Sequence, residues 1–283
     1  MVVGYEVAGR VKALGDDVQG LKAGDAVIAL TKFKGQASAV CIPERQVLKT
    51  PPGMSSEVAA ALPVNYVTAY HMLHHVGRLR PGDKVLIHMA GGGVGLAAIQ
   101  LCRLVEGVEI FGTASEGKHP MLREAGVAHP IDYRKVDYAA EVRRITGGRG
   151  VQLVLDPLGG KDWEKGYNLL APTGQLIAFG WANMVTDVRR RWLHVFSELL
   201  STKRYSPMAL MDTNRTVSGV NVGRLWGLPD LMRQEMEALL SLYEQKKISP
   251  RVDKVFPLAA GADAHRYIQE RRNVGKVVFD CAA

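Results

Sequence analysis

Cysteine is scarce in this sequence, and the three cysteines are far apart. Cys41, Cys102 and Cys281 are odd in number among 283 residues, which argues against a disulfide framework and favours a reducing compartment. CxxC and HExxH motifs are missing, as is a cluster of cysteines and histidines, so no metal site is expected. His71 and His75 would share one face of a helix, but no nearby acid or cysteine completes a ligand set. A polar helix face is the favoured interpretation.

Long apolar runs are missing as well. No stretch approaches 18 consecutive apolar residues, so the sequence predicts no transmembrane helix. The first residues lack the basic region and apolar core of a secretory signal. Together with the sparse cysteines, these features predict a cytoplasmic protein, with peripheral attachment to a membrane as the alternative.

Acidic residues are fewer than basic ones. The chain has 36 Lys and Arg against 28 Asp and Glu, a formal charge of +8. An excess of this sign suits nucleic acid, an acidic membrane surface or a highly charged anionic cofactor. The densest basic run is Arg189–Arg191. A solvated helix face is the commoner meaning of such a run, and contact with nucleic acid or lipid is the alternative.

Apolar runs and helical patterns alternate from residue 84 onward. Strands are predicted at 84–88, 108–115, 129–132, 151–156, 174–180 and 216–223, and helices at 95–105, 118–126, 137–147, 162–170, 186–204 and 228–247. This alternation is typical of βαβ units and a doubly wound parallel sheet. The flanks 1–52, 252–258 and 275–280 are β-like. The sequence therefore predicts an α/β sheet inserted between two pieces of a β-rich domain.

A glycine-rich stretch, HMAGGGVGLAAIQLC (88–102), follows a predicted strand and opens a predicted helix. Ala90, Gly92 and Gly95 take the positions of the G-x-G-x-x-G pattern. Small residues there allow a tight turn and let a diphosphate approach bare backbone at the helix N-terminus. Glycine-rich turns also occur for packing alone. The strand and helix on either side favour dinucleotide binding.

The residue at the end of the second strand distinguishes NAD from NADP. NAD-binding proteins place an acid about 20 residues after the glycines, where it holds the ribose 2′-OH. Here that position is Ser115, with Lys118 nearby and Tyr133 at the end of the next strand. A hydroxyl and an ammonium suit a 2′-phosphate, so NADPH is the predicted cofactor. Glu116 opposes this prediction unless its side chain points away.

Several segments resemble the medium-chain dehydrogenase/reductase superfamily, and most closely its zinc-free quinone oxidoreductase branch. They are GYEVAGRVKALGDDVQGLKAGDAV, VTAYHML, LRPGDKVLIHMAGGGVGLAAIQLC, GTASEGKHPMLREAGVAHPIDY and GKVVFD. DPLGGKDWEKGYNLLAPTGQLIAFGWAN, NRTVSGVNVG and ERRNVGKVVF are similar to the synaptic vesicle membrane protein VAT-1 group. Zinc-dependent relatives begin their first motif with Gly-His-Glu. This chain has Gly4-Tyr5-Glu6, and a tyrosine cannot replace that histidine ligand.

The resemblance implies a set of cofactor-binding residues. The expected contacts are Thr68, Gly92, Gly93 and Val94 at the pyrophosphate, Ser115, Lys118 and Tyr133 at the ribose phosphate, Leu158, Phe179 and Gly180 at the nicotinamide, and Asn273 from the last segment. Thr68 is also expected near the nicotinamide. The resemblance assigns no catalytic residue. Asn65 and Tyr66 lie close to the right motif, although both could be structural.

The resemblance also implies a layout and an activity. It predicts a partial GroES-like catalytic domain at 1–62, a Rossmann dinucleotide-binding domain at 63–247 and a return to the catalytic domain at 248–283. Residues 1–11 match an internal strand motif, so an N-terminally short chain is expected. Homodimers are expected through the Rossmann edge strand 216–223. The expected activity is NADPH-dependent reduction of a quinone or an α,β-unsaturated carbonyl. The alternative is an NADPH-binding protein with little turnover, acting at a membrane surface or on RNA.

Overall fold

The computed structural model describes residues 2–184 and 202–281 of the chain. Most of the predicted helix 186–204 and all of the basic run Arg189–Arg191 lie outside the described residues. The chain divides into two compact units. The first unit comprises Met1–Thr68, Gly92–Ala97 and Val222–Ala283, and the second comprises Ala69–Gly91 and Ala98–Asn221. The predicted domain boundaries after residues 62 and 247 stay a prediction.

Strands in the described residues form three sheets. They are β1 (Glu6–Arg10), β2 (Ala26–Leu30), β3 (Val47–Lys49), β4 (Lys84–Ile87), β5 (Glu109–Thr113), β6 (His129–Ile131), β7 (Val151–Asp156), β8 (Leu170–Ala178), β9 (Thr216–Gly219), β10 (Val252–Pro257) and β11 (Lys276–Asp280). In the first unit, β1, β2 and β3 form an antiparallel sheet, and β10 pairs in parallel with β11.

Helices connect these strands. The described α-helices are α1 (Ser56–Ala61), α2 (Pro63–Tyr70), α3 (Gly93–Cys102), α4 (His119–Glu124), α5 (Tyr138–Ile145), α6 (Lys161–Asn168), α7 (Pro207–Thr213), α8 (Pro229–Glu244) and α9 (Gly261–Gln269). Local sequence explains several of their ends. Asp137 caps α5 by accepting from the backbone N–H groups of Ala139 and Ala140. Ser206 caps α7, which ends at Asn214 in the left-handed conformation.

The second unit is built on a six-stranded parallel sheet in the order β6-β5-β4-β7-β8-β9. The chain adds β5 and β6 on one side of β4 and then returns to add β7, β8 and β9 on the other. Open sheets with this reversal bind ligands at the carboxyl ends of their strands, beside the point of reversal. The prediction of a doubly wound parallel sheet is therefore confirmed, and the residues that follow β4, β5, β7 and β8 lie at the functional edge.

The core of this unit is packed from both the sheet and its helices. Leu86, Phe111 and Leu176 from the strands are fully buried, as is Val142 of α5, and Tyr167 of α6 is buried beside them. The apolar runs that contain Leu86, Phe111 and Leu176 are the runs from which the sequence predicted strands. Burial on both faces explains why these runs are continuous rather than alternating.

The structure changes the interpretation of two segments. The predicted strand 216–223 ends at Gly219, and a short 3₁₀ helix, Val222–Arg224, follows it. Helix α2 continues into a π-helical turn, His71–Val76, in which the Gly77 N–H donates to the Met72 carbonyl, five residues earlier. His71 is buried there and stacks on the ring of His75, so it does not belong to an exposed polar face.

Candidate cofactor-binding site

The glycine loop, defined here as residues 89–95, joins β4 to α3. Gly91 is buried, and a Cβ atom at this position would lie 2.9 Å from Cδ of Lys118. The aliphatic part of the Lys118 side chain therefore packs on bare backbone of the loop. The structure thus brings together Lys118 and the glycine loop, two features that the sequence analysis assigned to phosphate groups of one cofactor.

The first unit holds the later part of the loop. Gly93 opens α3, and a Cβ atom there would collide with the side-chain amide of Asn65. Gly92 forms a parallel backbone bridge with Gly275, which has a φ of +102° and so favours glycine. The Leu96 N–H donates to the Gly92 carbonyl at 2.9 Å as the helix begins. The backbone N–H groups of the first turn are the donors that an anion uses at a helix N-terminus.

Residues of α2 and of the last segment lie in the same unit. Thr68 is three residues after Asn65 on α2, so both are on one face of the helix. Asn273 donates from Nδ2 to the Gly275 carbonyl at 2.9 Å, which folds its side chain back on its own segment. The structure thus places Asn273 two residues from the backbone bridge to Gly92.

The turn after β5 carries the residues predicted to distinguish the two cofactors. Ser115 precedes a 3₁₀ helix, Glu116–Lys118, and its carbonyl accepts from the Lys118 N–H at 2.9 Å. The Glu116 carboxylate is paired with Lys135 Nζ at 2.6 Å. Asp132 accepts from the Glu116 N–H at 3.1 Å and so links the turns after β5 and β6. The acid that opposed the NADPH prediction is thus paired with a lysine of the next turn.

Tyr133 follows Asp132 at the end of β6 and is partly exposed. The guanidinium of Arg134 lies 5.7 Å from the centre of the Tyr133 ring. The Arg134 N–H donates to Asp132 at 2.9 Å, and this hydrogen bond is the largest cause that lowers the pKa of the Asp132 carboxyl. Arg134 was not predicted as a site residue, although its position next to Tyr133 in a basic stretch was a usable signal.

The three residues expected at the nicotinamide lie in two neighbouring segments of the second unit. Leu158 belongs to the turn after β7, and Phe179 and Gly180 directly follow β8. The Leu158 carbonyl accepts from the Asn183 N–H at 3.0 Å, and the Asp156 carbonyl accepts from the Phe179 N–H at 3.0 Å. The structure therefore joins these two segments by backbone hydrogen bonds.

A pair of tryptophans supports the same region. Trp181 packs on Gly159, where a Cβ atom would overlap the indole. Its ring stacks on that of Trp163, with centroids 5.3 Å apart and an angle of 27° between the planes. Asn183 donates from Nδ2 to Asp162 at 2.9 Å. These contacts connect the start of α6 with the segment after β8.

A buried polar group, not predicted from the sequence, lies at the functional edge. Ile87 is in register with Gly112 and Leu155, so the next residues, His88, Thr113 and Asp156, lie side by side at the strand ends. His88 Nδ1 is 3.1 Å from Thr113 Oγ1, and His88 Nε2 is 4.0 Å from Asp156 Oδ2. Polar residues directly after three apolar strand runs were the available signal.

The electrostatics of this group follow from its burial. Desolvation lowers the pKa of His88 to about 4 and raises that of Asp156 to about 7. The Tyr138 ring packs edge-on against His88, and its hydroxyl donates to Asp162 at 2.8 Å. Lys165 Nζ lies 4.5 Å from the centre of the Tyr138 ring. Burial therefore favours the uncharged form of both side chains.

The first motif, Gly4-Tyr5-Glu6, is structural in the first unit. The Tyr5 ring lies 4.9 Å from that of Phe33. The Glu6 carboxylate accepts from the Val64 N–H at 2.8 Å, close to the start of α2, and pairs with Lys276. The expectation that the chain works without zinc stays a prediction.

Of the helices in the part of the chain that the structure describes, none combines the length and apolar character needed to span a bilayer.

Comparisons with known proteins identify the fold. A family model described as "Zinc-binding dehydrogenase" matches residues 125–279, and one described as "Alcohol dehydrogenase GroES-like domain" matches residues 1–71. The synaptic vesicle membrane protein VAT-1 homolog of Rattus norvegicus is 46% identical over 276 residues, covering 98% of this chain and 68% of that protein.

Solved structures agree with these matches. The CurK enoyl reductase aligns with a TM-score of 0.85 and 31% identity, covering 99% of this chain and 79% of that one. A quinone oxidoreductase of Pseudomonas syringae pv. Tomato DC3000 aligns with a TM-score of 0.84 and 25% identity, covering 98% of this chain and 81% of that one. Mycobacterial Rv1454c complexed with NADPH aligns with a TM-score of 0.85 and 27% identity, covering 98% of this chain and 82% of that one. With its parallel sheet, its GroES-like segment and these relatives, the chain belongs to the medium-chain dehydrogenase/reductase superfamily of oxidoreductases, close to the VAT-1 homologs.

Proposed function

We propose that this chain is an NADPH-dependent, zinc-independent reductase of quinones or α,β-unsaturated carbonyls. The turn after β5 is the observation that carries the cofactor assignment. Ser115 stands at the position of the NAD-selecting acid, Lys118 packs on the glycine loop, and Glu116 is paired with Lys135. A 2′-phosphate is stabilised by an ammonium and a hydroxyl and is repelled by an unpaired carboxylate.

The remaining cofactor contacts divide by chemistry. The N–H groups at the start of α3, from Gly93 and Val94, would bind the pyrophosphate, and the bare backbone of Gly92 lets it come close. Tyr133 would pack beside the ribose phosphate. Thr68 would donate a hydroxyl hydrogen bond near the pyrophosphate and the nicotinamide. These roles are proposals that rest on the positions described above and on the superfamily.

Residues after β7 and β8 would contact the nicotinamide half. Leu158, Phe179 and Gly180 lie in two segments that are joined to each other by backbone hydrogen bonds. When bound, NADPH supplies the hydride. The chain orients the reacting ring and excludes water from it, while a hydrogen-bond donor must stabilise the developing oxyanion of the substrate. Asn65 and Tyr66 are the candidate donors on α2, and the proton donor is not assigned.

The substrate class is proposed from the relatives. One is named an enoyl reductase and another a quinone oxidoreductase, and both names describe hydride acceptors conjugated to a carbonyl. The NADPH complex of a third relative supports the choice of cofactor. Tyr5 in place of a histidine supports a mechanism without zinc.

Fluorescence titration tests the cofactor assignment. The parent protein should bind NADPH about tenfold or more tightly than NADH, because a charge-assisted contact to phosphate contributes roughly 1.5–3 kcal/mol. Lys118→Ala should weaken NADPH binding and leave NADH binding unchanged. Arg123→Ala is the matched control, since it removes one exposed positive charge of the same unit. Equal affinities of the parent for the two cofactors would contradict the assignment.

Turnover is measured separately, as NADPH consumption on a panel of quinones and enones before and after dialysis against a chelator. Activity that survives the chelator supports the proposed mechanism. Tight NADPH binding without consumption on any acceptor would contradict the reductase assignment and favour a binding protein. The basic run that motivated a membrane or RNA partner lies outside the described residues, so no structural observation favours that second role.

A further inference from the structure

The turn after β7 is organised by the carboxyl group of Asp156. Asp156 is fully buried at the end of its strand. Its Oδ1 accepts from the Leu158 N–H at 2.5 Å and from the Gly159 N–H at 3.3 Å. An aspartate that accepts from the backbone two and three residues later fixes the turn that follows it.

The same turn is bonded to the segment after β8. The Ala182 N–H donates to the Pro157 carbonyl at 2.7 Å, and the Asn183 N–H donates to the Leu158 carbonyl at 3.0 Å. Asn183 Nδ2 also reaches the Gly159 carbonyl at 3.4 Å. A displacement of the 157–160 turn would therefore displace the segment after β8 as well, so one side chain controls the position of two segments.

On its other side, the carboxyl group faces the start of the glycine loop. Asp156 Oδ2 lies 4.0 Å from His88 Nε2, and the Met89 N–H donates to Thr113 Oγ1, which is within hydrogen-bond distance of His88 Nδ1. Each of these groups sits at the carboxyl end of a strand. Asp156 thus lies between the start of the glycine loop and the turns that follow β7 and β8.

The strand order says which half of a dinucleotide this region would meet. The glycine loop follows β4. The turn after β5, which carries Ser115 and Lys118, lies on one side of β4. The turns after β7 and β8 lie on the other side. A dinucleotide whose pyrophosphate is at the reversal point therefore has its adenosine half over β5 and its nicotinamide half over β7 and β8.

We propose that Asp156 is a positioning residue for the nicotinamide half of the cofactor, acting through the backbone of Leu158 and Gly159. The proposal rests on the proposed function. Because Asp156 is fully buried, it would act without touching the cofactor. Its role is to keep the 157–160 turn, and with it Phe179 and Gly180, in the geometry that receives the nicotinamide.

The test compares two ligands that differ in the nicotinamide half. NADPH contains both halves, whereas 2′,5′-ADP contains only the adenosine half with its 2′-phosphate. Asp156→Ala should raise the Kd of NADPH about tenfold, since two backbone N–H groups lose a charged or polar acceptor. The Kd of 2′,5′-ADP should change by less than about twofold. Asp156→Asn keeps an acceptor oxygen and should restore most of the NADPH affinity.

Each outcome supports or overturns the positioning role of Asp156. A loss of affinity that is equal for the two ligands, or an unchanged Kd of NADPH in Asp156→Ala, overturns the positioning role. If the alanine variant does not fold, Asp156→Ser takes its place, because serine accepts more weakly in the same kind of turn. It should raise the Kd of NADPH about threefold and spare 2′,5′-ADP. Failure of the parent to bind either ligand overturns the proposed function and this role together, whereas a parent that binds both isolates the role of Asp156.

Discussion

At the scale of single residues, the buried carboxyl of Asp156 makes stability depend on pH. Its pKa is about 7 in the folded protein, against 3.8 for a free side chain, because burial penalises the charged form. Between pH 4 and 7 the folded state therefore holds more protons than the unfolded state at this site. By linkage, this group makes the free energy of unfolding fall as pH rises through that window. His88 acts in the opposite direction, since burial lowers its pKa to about 4.

Asp156→Asn should separate the contribution of Asp156 to the pH dependence of stability from that of His88. The amide cannot ionise, so the variant should gain stability relative to the parent as pH rises from about 4 to about 7. The full gain is up to about 4 kcal/mol, and it should stay level above pH 7. Urea denaturation of both proteins at pH 5, 6, 7 and 8 measures the difference. A difference that does not change with pH would show that Asp156 titrates normally.

The sequence could assign a residue to a role only where position alone decides it, and those assignments stay predictions. Ser115 and Lys118 follow a strand at a fixed distance from the glycines, so the pattern could assign them to a phosphate. The pairing of Glu116 with Lys135 could not be predicted, because it depends on how the turns after β5 and β6 meet. The burial of Asp156 likewise follows from the register of neighbouring strands, which the sequence does not state.

At the scale of elements, the parallel strands and the long helix α8 were predictable, and the short helices α1 and α2 of the first unit were not. Continuous apolar runs between glycine-rich turns mark buried strands. Helix α2 is buried nearly all round, so it lacks the amphipathic period that reveals a helix on a surface. The π-helical turn His71–Val76 has no sequence pattern of its own. The short strand β9 was predicted too long, because Val220 and Val222 continue its apolar pattern past Gly219.

The N-terminus of α3 gives a prediction at this scale. Gly93→Ala would place a methyl group where the Asn65 amide lies, so the amide must move away from the glycine loop. Because alanine is the better helix former, the helix itself should not be destabilised. We expect the Kd of NADPH to rise about fivefold to tenfold, as for a tightly packed position. Calorimetric or fluorescence titration measures it.

Two variants control that experiment. Gly261 opens α9, and a Cβ atom there meets nothing within 4 Å, so Gly261→Ala should leave NADPH binding unchanged. Combining Gly93→Ala with Asn65→Ala removes the colliding amide and should restore part of the affinity. An unchanged Kd in Gly93→Ala would remove the loop from the proposed site.

At the scale of the whole molecule, we propose that two copies associate along β9. This strand is the outermost of the described six-stranded sheet, and unpaired strand edges are ready to pair with another chain. Met208 and Met211, on one face of α7 just before β9, are 75% and 73% exposed. Apolar side chains this exposed, on the helix that precedes the outermost described strand, are typical of an interface between copies.

Met208→Lys combined with Met211→Lys should disrupt this association. Two ammonium groups cannot be buried in an apolar contact without a large desolvation cost. Light scattering of the parent should give the mass of a dimer, and the double variant should shift to half that mass at the same concentration. Ile268→Lys changes an equally apolar exposed residue of the other unit and should leave the mass unchanged. A monomeric parent would contradict the proposed pairing.

The stacked indoles of Trp163 and Trp181 have a consequence for spectroscopy. Two identical chromophores with centroids 5.3 Å apart couple their excited states, which produces a paired signal in near-ultraviolet circular dichroism. Indole emission also overlaps the absorption band of a reduced nicotinamide, so energy transfer from this pair reports a nearby reduced ring. Because Trp181 packs on Gly159, the protein has an intrinsic optical label against the turn that Asp156 fixes, and no dye has to be attached to observe that turn.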